Sequence, residues 1–422
     1  TSGGRNTAIG YEALSTATEL THNIAIGWQT MKDSSATTSH RNIGIGSFVM
    51  DSVGANVVAD NVALGYNNLT ALTTGDNNTV IGSQAGVAIN TGAANTLVGK
   101  AAGTGVTSGT NNVSMGVDSM YYGTTVSQSV ALGKNAGAGD TGNNNTAVGY
   151  NVMNVNGASG DNNIAIGAFA GNGITTGGGN VLIGAYFGAG INLTTGDNNV
   201  AIGGKSFGQP GAAAITGAGN VAIGHLAHAD ARGATANCTI IGQAAGAAIT
   251  TAQNVLLLGH DTGVTGSPGG NITTASSKIV LGDENINAFH CQVALSVASD
   301  KRDKTDVKEL DLGLEFINKL VPVTYRWDKR SDYIDKFDPT VDLNKVTTDG
   351  THKEDQLDIG FLAQDVAEIE SSYNYKIEDK TNLTTSLSSD GKQYTTKYEK
   401  FVPMLVKAVQ ELTKRIEELE SN

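Results

Sequence analysis

The sequence is poor in the residues that usually brace a fold or mark a site. It holds two cysteines, Cys238 and Cys291; no disulfide framework is implied, and the redox compartment cannot be read from them. Prolines number five and tryptophans two in 422 residues, and aromatics make up 5%. Nowhere do about 20 apolar residues run together, so no membrane insertion is expected. Cationic residues are outnumbered, 27 Lys and Arg against 40 Asp and Glu, for a net charge of −13. A nucleic-acid groove needs a basic stripe, and neither half has one. Walker and dinucleotide motifs are missing, and no cofactor is expected. Before Ser299 no pair of carboxylates stands out as a glycosidase acid and base. No signal peptide opens the chain, and without an initiator Met a trimmed start is expected.

Glycine is abundant, and it is unevenly placed. Of 55 glycines, only Gly313, Gly350, Gly360 and Gly391 follow Ser299. Charge shows the reverse bias. Up to Ala298 there are 8 Lys and Arg with 14 Asp and Glu, and beyond it 19 with 26. Two differently built parts therefore meet near "VALSVASDKRDKTDVKEL", Val293 to Leu310. Glycine with so little charge would suit a low-complexity linker, but its spacing is periodic.

One signature recurs: "NTAIG" ends at Gly10, "NIAIG" at Gly27, "NIGIG" at Gly46, "NVALG" at Gly65, and so on through "NVAIG" at Gly224. Three looser copies end at Gly242, Gly259 and Gly282, and most intervals are 16 to 19 residues. Each copy reads as a short strand. Its two β-branched or long apolar residues flank a small one, such as Ala25 or Ala63, that points the other way. The larger pair is read as the core face. The small column is read as the place where partner chains approach, a trimer interface. A second apolar or small position falls four residues after each Gly (Leu14, Met31, Met50, Leu69), and two short strands per coil fit the period. "TTGDNN" and "SGDNN" supply turns. The repeated Asn is expected to stack as a ladder; calcium binding by the "GDNN" turns is the sharper but poorer reading, because the glycine-aspartate nonapeptide is absent. A unit of about 17 residues cannot bury its own apolar face, so the units must stack as a parallel solenoid. At roughly 4.8 Å per coil the rod is on the order of 75 Å long. The repeat resembles the β-roll heads of trimeric autotransporter adhesins, and is similar to repeats in phage tail fibres.

After Gly282 the grammar changes. "DLGLEFINKL" reads as a helix capped by Asp311, "VPVTYRW" as a strand, 328–356 as a polar loop and "LDIGFLAQDVAEIE" as strand into helix. In the last segment, Val402, Leu405, Val409, Leu412, Ile416 and Leu419 are spaced 3, 4, 3, 4, 3, a heptad seam, with Glu411 and Arg415 able to pair. A surface helix lying on a globular core is the other reading of that spacing.

Four ordered blocks, "SDKRDK", "LVPVTYRW", "GFLAQDV" and "YEKFVPMLVKAVQELTKRIEELE", resemble the C-terminal intramolecular chaperone of the endosialidase type across 299–422. That resemblance implies self-cleavage at Ala298–Ser299, with Ser299 and Lys304 as a Ser–Lys dyad. Chemistry permits it: a Ser hydroxyl can attack its own preceding carbonyl, shifting the acyl group from N to O, and water then hydrolyses the ester. The hydroxyl needs a base, and a lysine serves only when burial or nearby cations bring it down from about 10.4. From spacing alone, "SDKRDK" reads first as a solvated, charged helix entry capped by Ser299, and it is the four blocks together that favour the dyad. His225 and His228 have H-x-x-H spacing without a third ligand, and His290 sits beside Cys291 without an orienter; both pairs are read as structural, so no metal is expected.

The expectation is a mostly β, homotrimeric fibre: a parallel β-roll shaft over 1–285, a connector over 286–298, and an α+β self-processing chaperone over 299–422 that ends in a coiled coil. Its expected partners are a host receptor or glycan and other virion tail or baseplate proteins, and its place is the virion. A bacterial surface adhesin, or a polysaccharide-degrading spike with an inter-subunit site, uses the same modules.

Overall fold

The structure, a computed structural model, describes residues 3–421 apart from 17–18, 35–38, 185–186, 295, 337 and 339–340. It divides into two compact units, Thr1–Asp261 with Thr273–Ile279, and Thr262–Ile272 with Val280–Asn422. From β1 (Thr7–Ile9) to β16 (Lys278–Leu281), sixteen strands form one sheet in strict sequence order, and the pairings described are parallel. The chain is a parallel β-solenoid, as its repeat requires.

Each coil contributes one strand to that sheet rather than two. The stretch after each signature Gly is not extended. Glu12 and Leu14, Gln29 and Met31, and Phe48 and Met50 all lie near φ +50 to +58, the left-handed region that costs an L-residue roughly 1 kcal/mol or more. Hydrogen bonds to adjacent coils offset that cost: Gln29 N–H donates to Tyr11 O at 2.8 Å and Met31 N–H to Val49 O at 2.9 Å. Turns thus stack coil on coil as regularly as strands do.

The facing of the strands is the reverse of the expectation. Ala25, Ala63, Val80, Leu97 and Ala131, the middle residues, are buried in register. Their flanking partners are half-buried or exposed, as with Ile9, Ile164 and Ile166. The reason lies in the narrow interior. A Cβ on Gly44 would lie 2.8 Å from Thr30 and 3.1 Å from Met31. Where the strand interior is small, the left-handed position carries Met31, Met50 or Leu69. Where it is large, glycine answers: a Cβ on Gly103 would come within 2.7 Å of Leu97, and one on Gly190 within 2.8 Å of Leu182. The two columns share a fixed volume. The small column is therefore core, and the β-branched stripe faces outward.

The asparagine ladder forms. Asn95 Oδ1 accepts from the backbone N–H of Asn112 at 3.1 Å and from its Nδ2 at 3.0 Å, while Asn95 Nδ2 donates to Gly109 O at 2.9 Å. The same pattern runs from Asn23 to Asn112 and from Asn163 to Asn220. Ser129 and Cys238 interrupt it. At Ser129 the hydroxyl oxygen accepts from Asn145 N–H, and the spare Asn145 amide donates instead to Asp140 Oδ2 at 2.8 Å. Beside the ladder, most signature glycines hold φ near +130; a Cβ on Gly99 would overlap the Gly116 carbonyl.

In the second unit, β17 (Val323–Tyr325) pairs antiparallel with β18 (Asp358–Gly360), and β19 (Thr385–Leu387) with β20 (Tyr394–Thr396). Helices α1 (Leu314–Lys319), α2 (Ala363–Ser372) and α3 (Phe401–Glu420) enclose a core of Leu312, Phe316, Val366, Phe401 and Met404. Asp311 does not cap α1; its Oδ1 accepts from Tyr375 OH at 2.6 Å, which holds that phenol up to about 12. The N-cap is Gly313, and Glu411 of α3 accepts from Leu314 N–H at 2.8 Å. Glu411 therefore turns toward α1 rather than along its own helix to Arg415. Glu370 lies wholly buried and accepts four hydrogen bonds from Thr384 and Thr385.

Asn95→Ala would strand the Asn112 N–H and the Gly109 carbonyl, and should destabilise the shaft by about 3 kcal/mol, read as a lower thermal midpoint. Burial, helped by Asp161, lifts the Asp140 carboxyl from 3.8 to about 7 against its hydrogen bonds to Gly142 and Asn145. The folded chain then holds a proton that the unfolded chain loses. This stabilisation is complete below about pH 4 and is lost as pH rises through 7. Asp140→Asn should flatten the thermal midpoint across that window.

Candidate functional site

The candidate site lies at the charge boundary. Residues 286–298 run as exposed chain, without regular structure among those described. At Asp300 the backbone tightens into one 3-10 turn, Lys301–Asp303. Asp300 caps it by accepting from Arg302 N–H at 2.9 Å. Arg302 closes back on the same carboxylate, Nη2 to Oδ2 at 2.6 Å. That pair holds the Asp300 carboxyl below its usual range, chiefly through the Arg302 side chain.

The turn carries Lys304 back toward Ser299. Lys304 Nζ lies 2.5 Å from Ser299 Oγ. At that distance the ammonium donates to the hydroxyl oxygen, and a neutral amine would accept the hydroxyl proton, the arrangement a general base needs. Asp300, the nearest acid in sequence, is engaged by Arg302. Ala298, Ser299 and Lys304 are all exposed in the single chain. The sequence reading asks for burial around the lysine, and one chain does not supply it.

The other singled-out residues separate. His225 is exposed, whereas His228 is wholly buried inside its coil rather than on the outside. The His228 ring lies 5.4 Å from Phe207, with Nε2 at 3.3 Å from Thr235 Oγ1, and burial pushes it down to about 3. Its position, four residues after Gly224, is the left-handed core position of most coils; the H-x-x-H spacing is an accident of the repeat. No group of three or more metal-ligating side chains occurs among the described residues. Cys238 is buried in the ladder, where it stands in for Asn, and Cys291 is exposed beside His290. Among the described residues no helix is long and apolar enough to cross a membrane.

Helix α3 shows a feature that the spacing of its sequence left open. Phe401, Met404 and Ala408 pack inward. The heptad positions Val402, Leu405, Val409, Leu412, Ile416 and Leu419 all remain exposed. The helix does not use its seam to lie on the domain core.

Residues 299–374 match the family described as the chaperone of endosialidase. The match begins at Ser299 and takes in three of the four blocks; α3 lies beyond it. No curated protein and no solved structure matches the chain. A parallel β-solenoid followed by this chaperone segment fits a tail fibre that ends in a chaperone domain.

Lys304→Arg keeps the charge and much of the reach but removes the base. Together with Ser299→Ala, it should leave the chain at full mass on a denaturing gel. A new N-terminus at Ser299 in either variant would dismiss the dyad.

Proposed function

We propose that the chain is a homotrimeric virion fibre that attaches to a host surface, and that its C-terminal part aligns three chains and then severs itself at Ala298–Ser299. The observation that carries this reading is the exposed heptad face of α3, whose neighbouring face, Phe401, Met404 and Ala408, is committed to its own domain. Six apolar residues in a 3-4 pattern with no cover in one chain call for partner helices. A helix of 20 residues is marginal as a coiled coil by itself. Its domain therefore has to bring the three copies together.

Trimer formation supplies what the dyad lacks. Three chains converging on the turn at 299–304 bury Lys304 beside the neighbouring cation Lys301, which favours the neutral amine. Cleavage then follows correct assembly. The outward β-branched stripe of the solenoid is the matching surface along the shaft, in place of the small column first read as that face.

Attachment is supported by an aromatic column near the N-terminal end. Tyr11, Trp28, Phe48 and Tyr66 succeed one another coil by coil, with ring centroids 5.8, 6.4 and 6.0 Å apart. Exposed ring faces beside polar groups such as Glu12, Gln29 and Lys32, themselves bonded to one another, suit the apolar faces and hydroxyls of a glycan.

Val409→Asp with Leu412→Asp should abolish both the trimer mass in light scattering and the cut at Ser299. A trimeric, fully cut double variant would refute the reading. Trp28→Ala with Tyr66→Ala should lower adsorption of the fibre to host cells by about tenfold or more and leave trimerisation intact.

A further inference from the structure

The self-cleavage reading leaves open what becomes of the severed piece, and the second unit addresses it. The Ala298–Ser299 bond is not at that unit's edge. Thr262–Ile272 and the stretch from Val280 to Ala298 belong to the same compact unit as the chaperone, yet they lie upstream of the bond. Thr262–Ile272 falls within the longest interval of the repeat, the 23 residues from Gly259 to Gly282.

Side chains and backbone downstream of the bond grip this upstream segment at several points. Asp390 Oδ2 accepts from Asn271 N–H at 3.0 Å, Ser389 N–H donates to Gly269 O at 2.8 Å, and Gln393 Nε2 donates to Gly266 O at 3.3 Å. These donors and acceptors come from the hairpin of β19 and β20. From the charged loop at 328–356, Lys336 forms an ion pair with the buried Glu284. Ser331 of that loop packs so closely on Gly266 that a Cβ there would collide with it, and a Cβ on Gly270 would collide with Asp390. The loop is braced from behind: Arg330 donates to Leu343 O and Lys392 O, each at 2.9 Å.

We propose that Ser331 and Lys336 of the loop and the β19–β20 hairpin form a clamp that keeps the severed 299–422 piece bound to residues 262–272 and 280–286 after the cut. The inference rests on the self-cleavage reading for its biological setting, but the clamp itself does not depend on how the bond is broken. None of its contacts passes through the connector, so cutting there removes none of them. A charge-assisted hydrogen bond and a buried ion pair are the contacts whose loss costs most.

The test uses the full chain in two forms. One is the protein as it processes itself. The other carries Ser299→Ala and a foreign protease site inserted between Gln292 and Val293, opened with added protease. Both should show two fragments on a denaturing gel and one co-eluting peak on native size exclusion. Elution of the C-terminal fragment by itself from either form overturns the proposal. Failure of the first form to cut at all counts against the dyad, and the second form still reads the clamp. Asp390→Ala on one side and Glu284→Gln on the other, which leaves every residue of 299–422 unchanged, should each weaken retention by about tenfold or more. Retention equal to the unaltered chain in both variants overturns the assignment of these contacts.

Discussion

The shaft depends on one constraint: no coil can satisfy its own polar groups. The side-chain amide of each ladder asparagine has its acceptors on the coils to either side, and so do the backbone N–H groups of the strand and of the left-handed turns. A buried amide without a partner costs about 1–3 kcal/mol, and in this chain that penalty recurs at every coil. The structure is therefore cooperative along its axis and intolerant of a slip by less than one coil. A slip of one coil would still match Asn to Asn and Gly to Gly, because the repeats are nearly identical. The repeat by itself therefore fixes the spacing of the coils but not which coil meets which.

Much of the fold could be read from the sequence because its signal was repeated many times. The period, the stacking and the asparagine ladder all follow from a five-residue signature and its spacing. Facing could not be read from it. Alternation says which residues share a face, but not which face is inside, and the usual preference for burying Ile over Ala points the wrong way here. What decides is the interior volume, set by pairs such as Leu97 with Gly103 and Ala63 with Leu69, which lie a turn apart and become partners only when the coil closes. The second strand was misread for a related reason. Leu14 and Met31 have strand-like side chains but left-handed backbones, which the flanking sequence does not announce.

At the boundary the position was legible and the environment was not. Composition marks Ser299 from either side, and the turn between Asp300 and Lys304 brings the two candidate groups to 2.5 Å. The grip of the 385–396 hairpin on Gly266 to Asn271 joins residues more than 100 positions apart. No local pattern carries it, although the unusual length of the last repeat interval points to the upstream half. The heptad spacing was legible, but that α3 lies on its own core through the neighbouring residues Phe401, Met404 and Ala408 was not.

The column of glycine carbonyls has an evolutionary corollary. From Gly10 to Gly149 each signature glycine faces the backbone of the next, so almost any replacement there meets main chain rather than a movable side chain. Point substitution is closed off along this line, whereas the turns between signatures already vary in length from coil to coil. A lineage carrying such a shaft can change its reach by duplicating or deleting whole coils, and its surface chemistry by editing the turns. Fibres of graded length with divergent outer loops and a nearly invariant spine are the diversity this architecture allows.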